Sequence, residues 1–313
     1  MAAEDEALER TAAFETVGGF PLPSGPRLDR EPYRWQSVVL LGPALLLLLG
    51  LFVVPALYAF YLGFTNLNLL GATATHFQFT GSANLKTLIH DSTFFGSLST
   101  TGVFALGSVI GAVVVGMLLA LALRTGSRIV GVVAGGIVVV CWMMPAVSAA
   151  FAWYATTTGG GTVASLLGSP NLDVLASSPL LVVVVANIWS QVGFVMVVFG
   201  AGLRNIPLEV LEAARMESAT AWQSFWRITL PIMRPLVTTT VIIVLLLSLA
   251  NFSLIYIMTQ GGPGTATDIL PIYSYQQGFT FDNLAYGALV GDALVVCATV
   301  IALIYVRASR VKV

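Results

Sequence analysis

Six long apolar runs constrain this chain more than any other feature, because each is long enough to cross a bilayer. They cover about Val38–Phe60, Phe95–Leu123, Ile129–Tyr154, Leu180–Leu203, Leu236–Met258 and Ala285–Val306. Crossing roughly 30 Å of hydrocarbon takes about 20 apolar residues at helical rise. Without water to satisfy backbone N–H and C=O groups, such runs fold as helices. A spanning β-barrel needs short alternating strands, and Leu45 through Leu49 do not alternate. Pro43, Pro55 and Pro145 fall inside the runs and predict kinks or breaks, since proline removes a helical donor.

The expected fold class is an all-α integral membrane protein with about six transmembrane helices. With 57% hydrophobic and 9% charged residues, too few charges remain to cover a water-soluble globule, which carries about 25%. The net charge of -1 offers no footprint for nucleic acid. Basic residues set the orientation. With six spans, 13 of the 14 bases fall in segments that share one side, and only Lys86 lies opposite. Both termini are therefore expected in the cytoplasm, with residues 1–34 a flexible, initially acidic cytoplasmic tail and 35–313 the membrane domain. That tail is too long for a signal-peptide n-region and the first span too long for an h-region, so no cleavage is expected.

Other classes lack their residues. Cys141 and Cys297 sit in apolar runs and read as buried small hydrophobes. His76 and His90 are too few for a zinc site of HExxH spacing. Neither Lys86 nor Lys312 follows a glycine, so no Walker A loop is present and any ATP hydrolysis belongs to a partner.

The segment 204–231 between spans four and five differs from the other inside loops. Pro207 suits a first helical position and Glu209 the first turn, where the helix dipole favours an acid. Glu212, Ala213 and Ala214 continue a helix-forming stretch. The helix is expected to break around Ser218–Thr220. Thr220 and Gln223 have capping-box spacing for a second helix carrying Trp222, Phe225 and Trp226. Two short helices at an angle present a compact knob to a cytosolic partner. The same pattern also describes an amphipathic connector lying on lipid, and the residue types alone leave both open.

The spacing Glu212-Ala213-Ala214, three residues, Ser218, nine residues, Ile228, one residue, Leu230-Pro231 resembles the EAA loop of binding-protein-dependent ABC importer permeases. Leu203 and Ile206-Pro207 resemble that family's lead-in. One residue departs: Ser218 stands where the family usually has glycine, and serine tolerates positive φ poorly. Asn84 through Asp91, Thr259-Gln-Gly-Gly-Pro263, and Thr267, Leu270 and Tyr273 resemble segments of the carbohydrate-uptake branch. The chain is most similar to the first permease of maltose- and trehalose-type importers, and its two lysines against 12 arginines suggest a GC-rich, actinobacterial source.

The resemblance implies the ABC type I importer permease fold in the bacterial inner membrane, a non-catalytic chain, and no cofactor of its own. ATP and Mg would sit on the partner ATPase. The implied partners are a second permease forming a heterodimer, two copies of an ABC ATPase, an extracytoplasmic sugar-binding lipoprotein and membrane lipid. Glu212 would make a polar contact in the ATPase cleft, with Ala213, Ala214 and Ala219 packing closely there and Ser218 at the bend. The solute would be a disaccharide such as trehalose, with glycerol phosphate or an amino sugar as alternatives within the branch.

Polar residues inside spans are costly and therefore candidate sites. Asn187, Gln191 and Phe194 share one face of span four, and Ser248 and Asn251 lie three apart in span five. This mixture suits a sugar, which takes amide hydrogen bonds and aromatic stacking. Hydrogen bonding between helices uses the same residue types. Asp292 is the only carboxylate well inside a span, without a buried base. It reads as a hydrogen-bonded structural acid or a residue near the outer gate, and a proton-coupled secondary carrier is correspondingly disfavoured.

Overall fold

In a computed structural model, residues 16–17, 20–21 and 34–309 are described. The expected tail, residues 1–34, therefore falls almost wholly outside the described residues. Contacts divide the chain into Met1–Pro55 and Ala56–Val313. In the first unit, Thr16–Val17 pairs antiparallel with Phe20–Pro21, and α1 (Arg34–Leu48) leads into a π-helical turn, Leu49–Val53. That turn ends two residues before Pro55, which lies in α2 (Val54–Leu62). The wider turn accommodates the acceptor that proline leaves without a donor.

The second unit carries the remaining spans. After α2 come α3 (Ala83–His90) and α4 (Ser92–Thr125), the latter capped by Asp91, whose side chain accepts from the Thr93 amide at 2.9 Å. Next are α5 (Arg128–Trp142) and α6 (Ala146–Thr157), then the short α7 (Thr162–Leu166) and α8 (Val174–Ser177). α9 (Pro179–Arg204) is followed by α10 (Leu208–Met216) and α11 (Ala221–Ser224). A π-helical turn, Phe225–Thr229, joins α11 to α12 (Leu230–Leu249), and α13 (Phe252–Thr259) follows. The chain ends with α14 (Leu270–Tyr275), a π-helical turn and α15 (Leu284–Ser309).

Among the described residues, five helices are long and apolar enough to cross a membrane, or six when the bent pair Ile129–Trp142 and Ala146–Leu166 counts as one span. The third apolar run is thus not one straight helix. It turns by 101° at Met143–Pro145, with Pro145 at the N-cap of α6. The fifth run is also interrupted, at Ala250–Asn251, although no proline stands there. Its apolar content hides the break, which coincides with a polar side chain bonded across helices. Between the fifth and sixth apolar runs, the chain itself folds into α14 and its π-helical continuation.

α4 and α9 form the central pair. Gly111 and Gly116 let them approach: a Cβ at Gly116 would sit 2.5 Å from Val195 Cγ1, and one at Gly111 would sit 2.2 Å from Ile188 Cδ1. Around this pair lie two apolar clusters. One joins Phe104, Ala150, Val183, Leu254 and Ile255; the other joins Ala112, Val195, Phe199 and Val244. A third, containing Leu88, Phe94, Leu270 and Tyr273, fastens α3 and α14 to the start of α15.

Candidate functional site

The segment 204–231 folds as two helices at a bend. Pro207 occupies the N-cap of α10 rather than its first helical position, with φ −56° and ψ 133°. The residue still lacks an amide to satisfy, so it suits either place. At the other end, the Ser218 amide donates to Arg215 O and the Ala219 amide to Ala214 O, both at 3.0 Å. These two bonds define a Schellman cap whose left-handed residue is Ser218, at φ +57°. The serine therefore takes the conformation that glycine takes without steric cost. Thr220 and Gln223 close a reciprocal capping box at 3.3 and 2.9 Å.

Glu212, Ala213 and Ser218 are exposed. Ala214 is only 7% exposed and Ala219 is half-buried. Ala214 thus lies on the face of α10 that packs against this chain. Met216, 86% exposed, was missed in the sequence and stands at the tip of the knob beside the bend.

Four of the five candidate solute residues meet. Asn187 Nδ2 donates to Ser248 Oγ at 3.0 Å, and Gln191 Nε2 donates to the same oxygen at 2.9 Å. Asn251 Nδ2 donates to Asn187 Oδ1 at 2.8 Å. Asn187 and Ser248 are fully buried, and Gln191 Oε1 is buried without a donor. Asn251 reaches Asn187 because the α12–α13 break frees it from helical backbone geometry. Phe194 does not join this cluster; its ring packs on Trp142 of α5 with centroids 5.8 Å apart.

Toward the opposite end of the spans from the coupling segment, the other matched segments converge. Asn84 Nδ2 donates to Gly63 O and Thr65 O, at 2.9 and 2.8 Å, satisfying carbonyls at the end of α2. Asp91 Oδ2 accepts the hydroxyls of Tyr273 and Tyr286. Burial pushes the Asp91 carboxyl up, but these hydroxyls and the Thr93 and Phe94 amides outweigh it and hold it below its usual value. Thr267 Oγ1 donates to Thr259 Oγ1 at 2.7 Å and lies 3.1 Å from Gly262 O, closing the Gly-Gly-Pro loop on itself. In that loop Gly261 has φ +92°, which an L side chain rarely adopts. Asp268 is 2% exposed, with Ser97 Oγ 3.5 Å from Oδ2 and no partner on Oδ1. Burial raises its carboxyl to about 6, and the Ser97 hydroxyl offsets only part of that. Asp292 makes no hydrogen bond among the described residues, so the hydrogen-bonded role expected for it is not met; its Oδ2 lies buried beside Gly63.

Residues 112–311 match the family described as "Binding-protein-dependent transport system inner membrane component". The chain belongs to that family. Its members are transport components, and this one is a multi-pass inner-membrane protein. A probable ABC transporter permease of Pyrococcus horikoshii is 31% identical over 293 residues, covering 89% of this chain and 97% of the relative. A trehalose transport system permease of Mycobacterium tuberculosis is 27% identical over 298 residues, covering 95% and 92%. A sulfoquinovosyl glycerol transport system permease of Agrobacterium fabrum is 30% identical over 289 residues, covering 89% and 92%. Among solved structures, a bacterial alginate ABC transporter in complex with an alginate pentasaccharide-bound periplasmic protein superposes with a TM-score of 0.73. That match has 21% identity and covers 89% of this chain and 97% of the other, and it supports the same type I permease fold.

Proposed function

We propose that this chain is the permease subunit of an ATP-driven sugar importer. The solute is a disaccharide such as trehalose, taken from an extracytoplasmic sugar-binding protein. The chain pairs with a second permease, and two copies of an ABC ATPase hold the ATP and Mg. It performs no catalysis; it transmits the ATPase's motion to the spans. The observation that carries this reading is the knob of α10 and α11, with exposed Glu212, Ala213 and Met216 beside a fixed left-handed bend. A capped, rigid bend transmits displacement, whereas a floppy connector absorbs it.

Relatives named for trehalose and for a glycosylated glycerol both handle polyhydroxylated solutes, which favours the amide cluster at Asn187, Gln191, Ser248 and Asn251 as the place where such hydroxyls are exchanged for internal bonds. Phe194 supplies an aromatic face nearby on α9. Both termini lie in the cytoplasm on this reading, on the side of the arginines.

Uptake of labelled trehalose in cells carrying Glu212→Lys tests the coupling role. Uptake is expected to collapse while the chain remains in the membrane at its normal level. Normal uptake with the ATPase still bound would overturn the assignment. Mass spectrometry of what copurifies with the tagged wild-type chain tests the assembly: an ATPase, a second permease and a sugar-binding protein are expected, and a stable homo-oligomer alone would refute it.

A further inference from the structure

Helices α4, α5 and α9 are tight at mid-span and splay apart toward the arginine end. At mid-span a Cβ at Gly116 would strike Val195, and one at Gly193 would lie 2.5 Å from Trp142 Cβ. Near the arginine end the glycines that line the gap between these helices have room instead. A Cβ at Gly200 would meet nothing within 4 Å, and one at Gly131 or Gly135 would only reach ordinary contact distance from Leu123. The result is a crevice of about 490 Å³ walled by Gly131, Gly135, Gly200 and Ala201 and flanked by Arg124 and Arg204.

Both arginines are exposed, and each lies in the last turn of its helix, at the level where the apolar spans end. Among the described residues, neither guanidinium makes a hydrogen bond or ion pair. The bias of basic residues to one side and to helix C-termini accounts for their charge. It does not account for a glycine-walled opening between them. The crevice also has apolar walls, Leu123, Met196 and Val197. A ligand that suits it has an anionic head at the membrane boundary and a hydrocarbon tail running inward.

We propose that this crevice is a binding site for the phosphate headgroup and upper acyl chain of an anionic phospholipid from the surrounding membrane. Two guanidinium groups clamp phosphate oxygens with hydrogen bonds and charge, and basic pockets between spans select anionic headgroups over zwitterionic ones. The glycines give the glycerol and first methylenes direct contact with helix backbone.

The test reconstitutes the wild-type chain, with the partners that copurify, into phosphatidylcholine vesicles doped with a photoactivatable phosphatidylglycerol. Irradiation and peptide mapping are expected to place the label on α4, α5 and α9 around residues 123–135 and 196–205. Labelling spread evenly over the lipid-facing helices would overturn the proposal, as would labelling of a partner ATPase in its place. Unlabelled phosphatidylglycerol is expected to compete, and inorganic phosphate at the same concentration is not; equal competition by phosphate would mean a soluble anion site. Two variants sharpen this. Arg124→Gln with Arg204→Gln is expected to lower competed labelling by about thirtyfold, roughly fivefold per charge. Gly200→Leu keeps both charges and fills the crevice, and is expected to lose the same labelling. Undiminished labelling in either variant would overturn the proposal, and the wild-type map stands as the deciding result where a variant fails to fold.

Discussion

The carboxylate of Asp91 accepts the hydroxyl of Tyr273 across 182 residues of chain. The same oxygen also accepts Tyr286 Oη, while Oδ1 takes the Thr93 amide. One acidic side chain thus caps α4 and ties it to α14 and α15. Hydrogen bonds to an ionised acceptor contribute about 1.5–3 kcal/mol each, so Asp91→Ala is expected to destabilise the chain by at least that amount in thermal unfolding. Tyr273→Phe, which removes one donor and leaves the cap, is expected to cost about half as much. A cost for Tyr273→Phe equal to that of Asp91→Ala would show that the tyrosine ring position, and not the carboxylate, organises the junction.

Asp91 and Asp268 are expected to give pH slopes of opposite sign. Asp91 is held below its ordinary 3.8, so its contribution is complete above that value and is lost as pH falls through the depressed one. Asp268 is raised to about 6, so the folded state binds its proton more tightly than the unfolded state does. Its contribution is complete below about 3.8 and is lost as pH rises through about 6. Melting temperatures of wild type and Asp268→Asn between pH 4 and 7.5 check this: the wild type alone should lose stability across that window. Parallel curves would refute the titration.

Ser218→Gly is expected to stabilise the coupling bend. A non-glycine residue in the left-handed region costs roughly 1–2 kcal/mol, and Ser218 holds φ +57°. Glycine at this position keeps both Schellman bonds and removes the cost, whereas Ser218→Val adds a branched Cβ and worsens it. Protease resistance of the 204–231 segment in membranes should rank glycine above serine above valine. Any other order would place the constraint elsewhere.

Most of the architecture was legible because its causes are local. Apolar length fixed the spans, and the Thr220–Gln223 spacing announced a capping box that is present in the structure. Pro145 marked the break in the third run, although no local rule gives a 101° turn. The break at Asn251 was illegible, since an asparagine among Leu and Phe carries no helix-stopping signal strong enough to outweigh its neighbours. It is explained by a partner on another helix, Asn187. The inward turn of Ala214 follows from helical spacing: it lies three residues after Leu211, which packs against the cluster of Val195 and Phe199, so the two share the covered face of α10. The Asp91–Tyr273 junction was half visible, as two separate matched segments whose meeting only the fold supplies.

The α4–α9 contact separates two kinds of crowding. At Gly111 a new methyl would meet side-chain atoms alone, Ile188 Cδ1 at 2.2 Å and Cγ1 at 2.7 Å, so relief takes movement of a stiff β-branched side chain, partly offset by helix propensity worth about 1 kcal/mol. At Gly116 it would meet Val195 Cβ at 2.6 Å and the Met196 amide nitrogen at 3.2 Å, neither of which can move without shifting backbone. Gly111→Ala is therefore expected to cost less than Gly116→Ala, which should cost about 1–3 kcal/mol. Thermal unfolding in detergent distinguishes them, and equal effects would mean that the helices separate as rigid bodies.

Ser248 is the shared acceptor for two buried amides, which makes it the member of the polar cluster whose loss is felt most. Ser248→Ala leaves Asn187 Nδ2 and Gln191 Nε2 without their partner. An unsatisfied buried donor costs about 1–3 kcal/mol, and hydrogen bonds between membrane helices average about 0.6, so a loss of about 1–2 kcal/mol is expected. Asn251→Ala removes a donor that is only half-buried and should cost less. The two variants also discriminate between a solute site and a helix fastener. If solute hydroxyls replace these internal bonds, Ser248→Ala raises the KM for uptake more than it lowers the maximal rate, because an acceptor used by solute is gone. If the cluster only fastens α9 to α12, uptake falls in proportion to folded protein and the KM stays where it was.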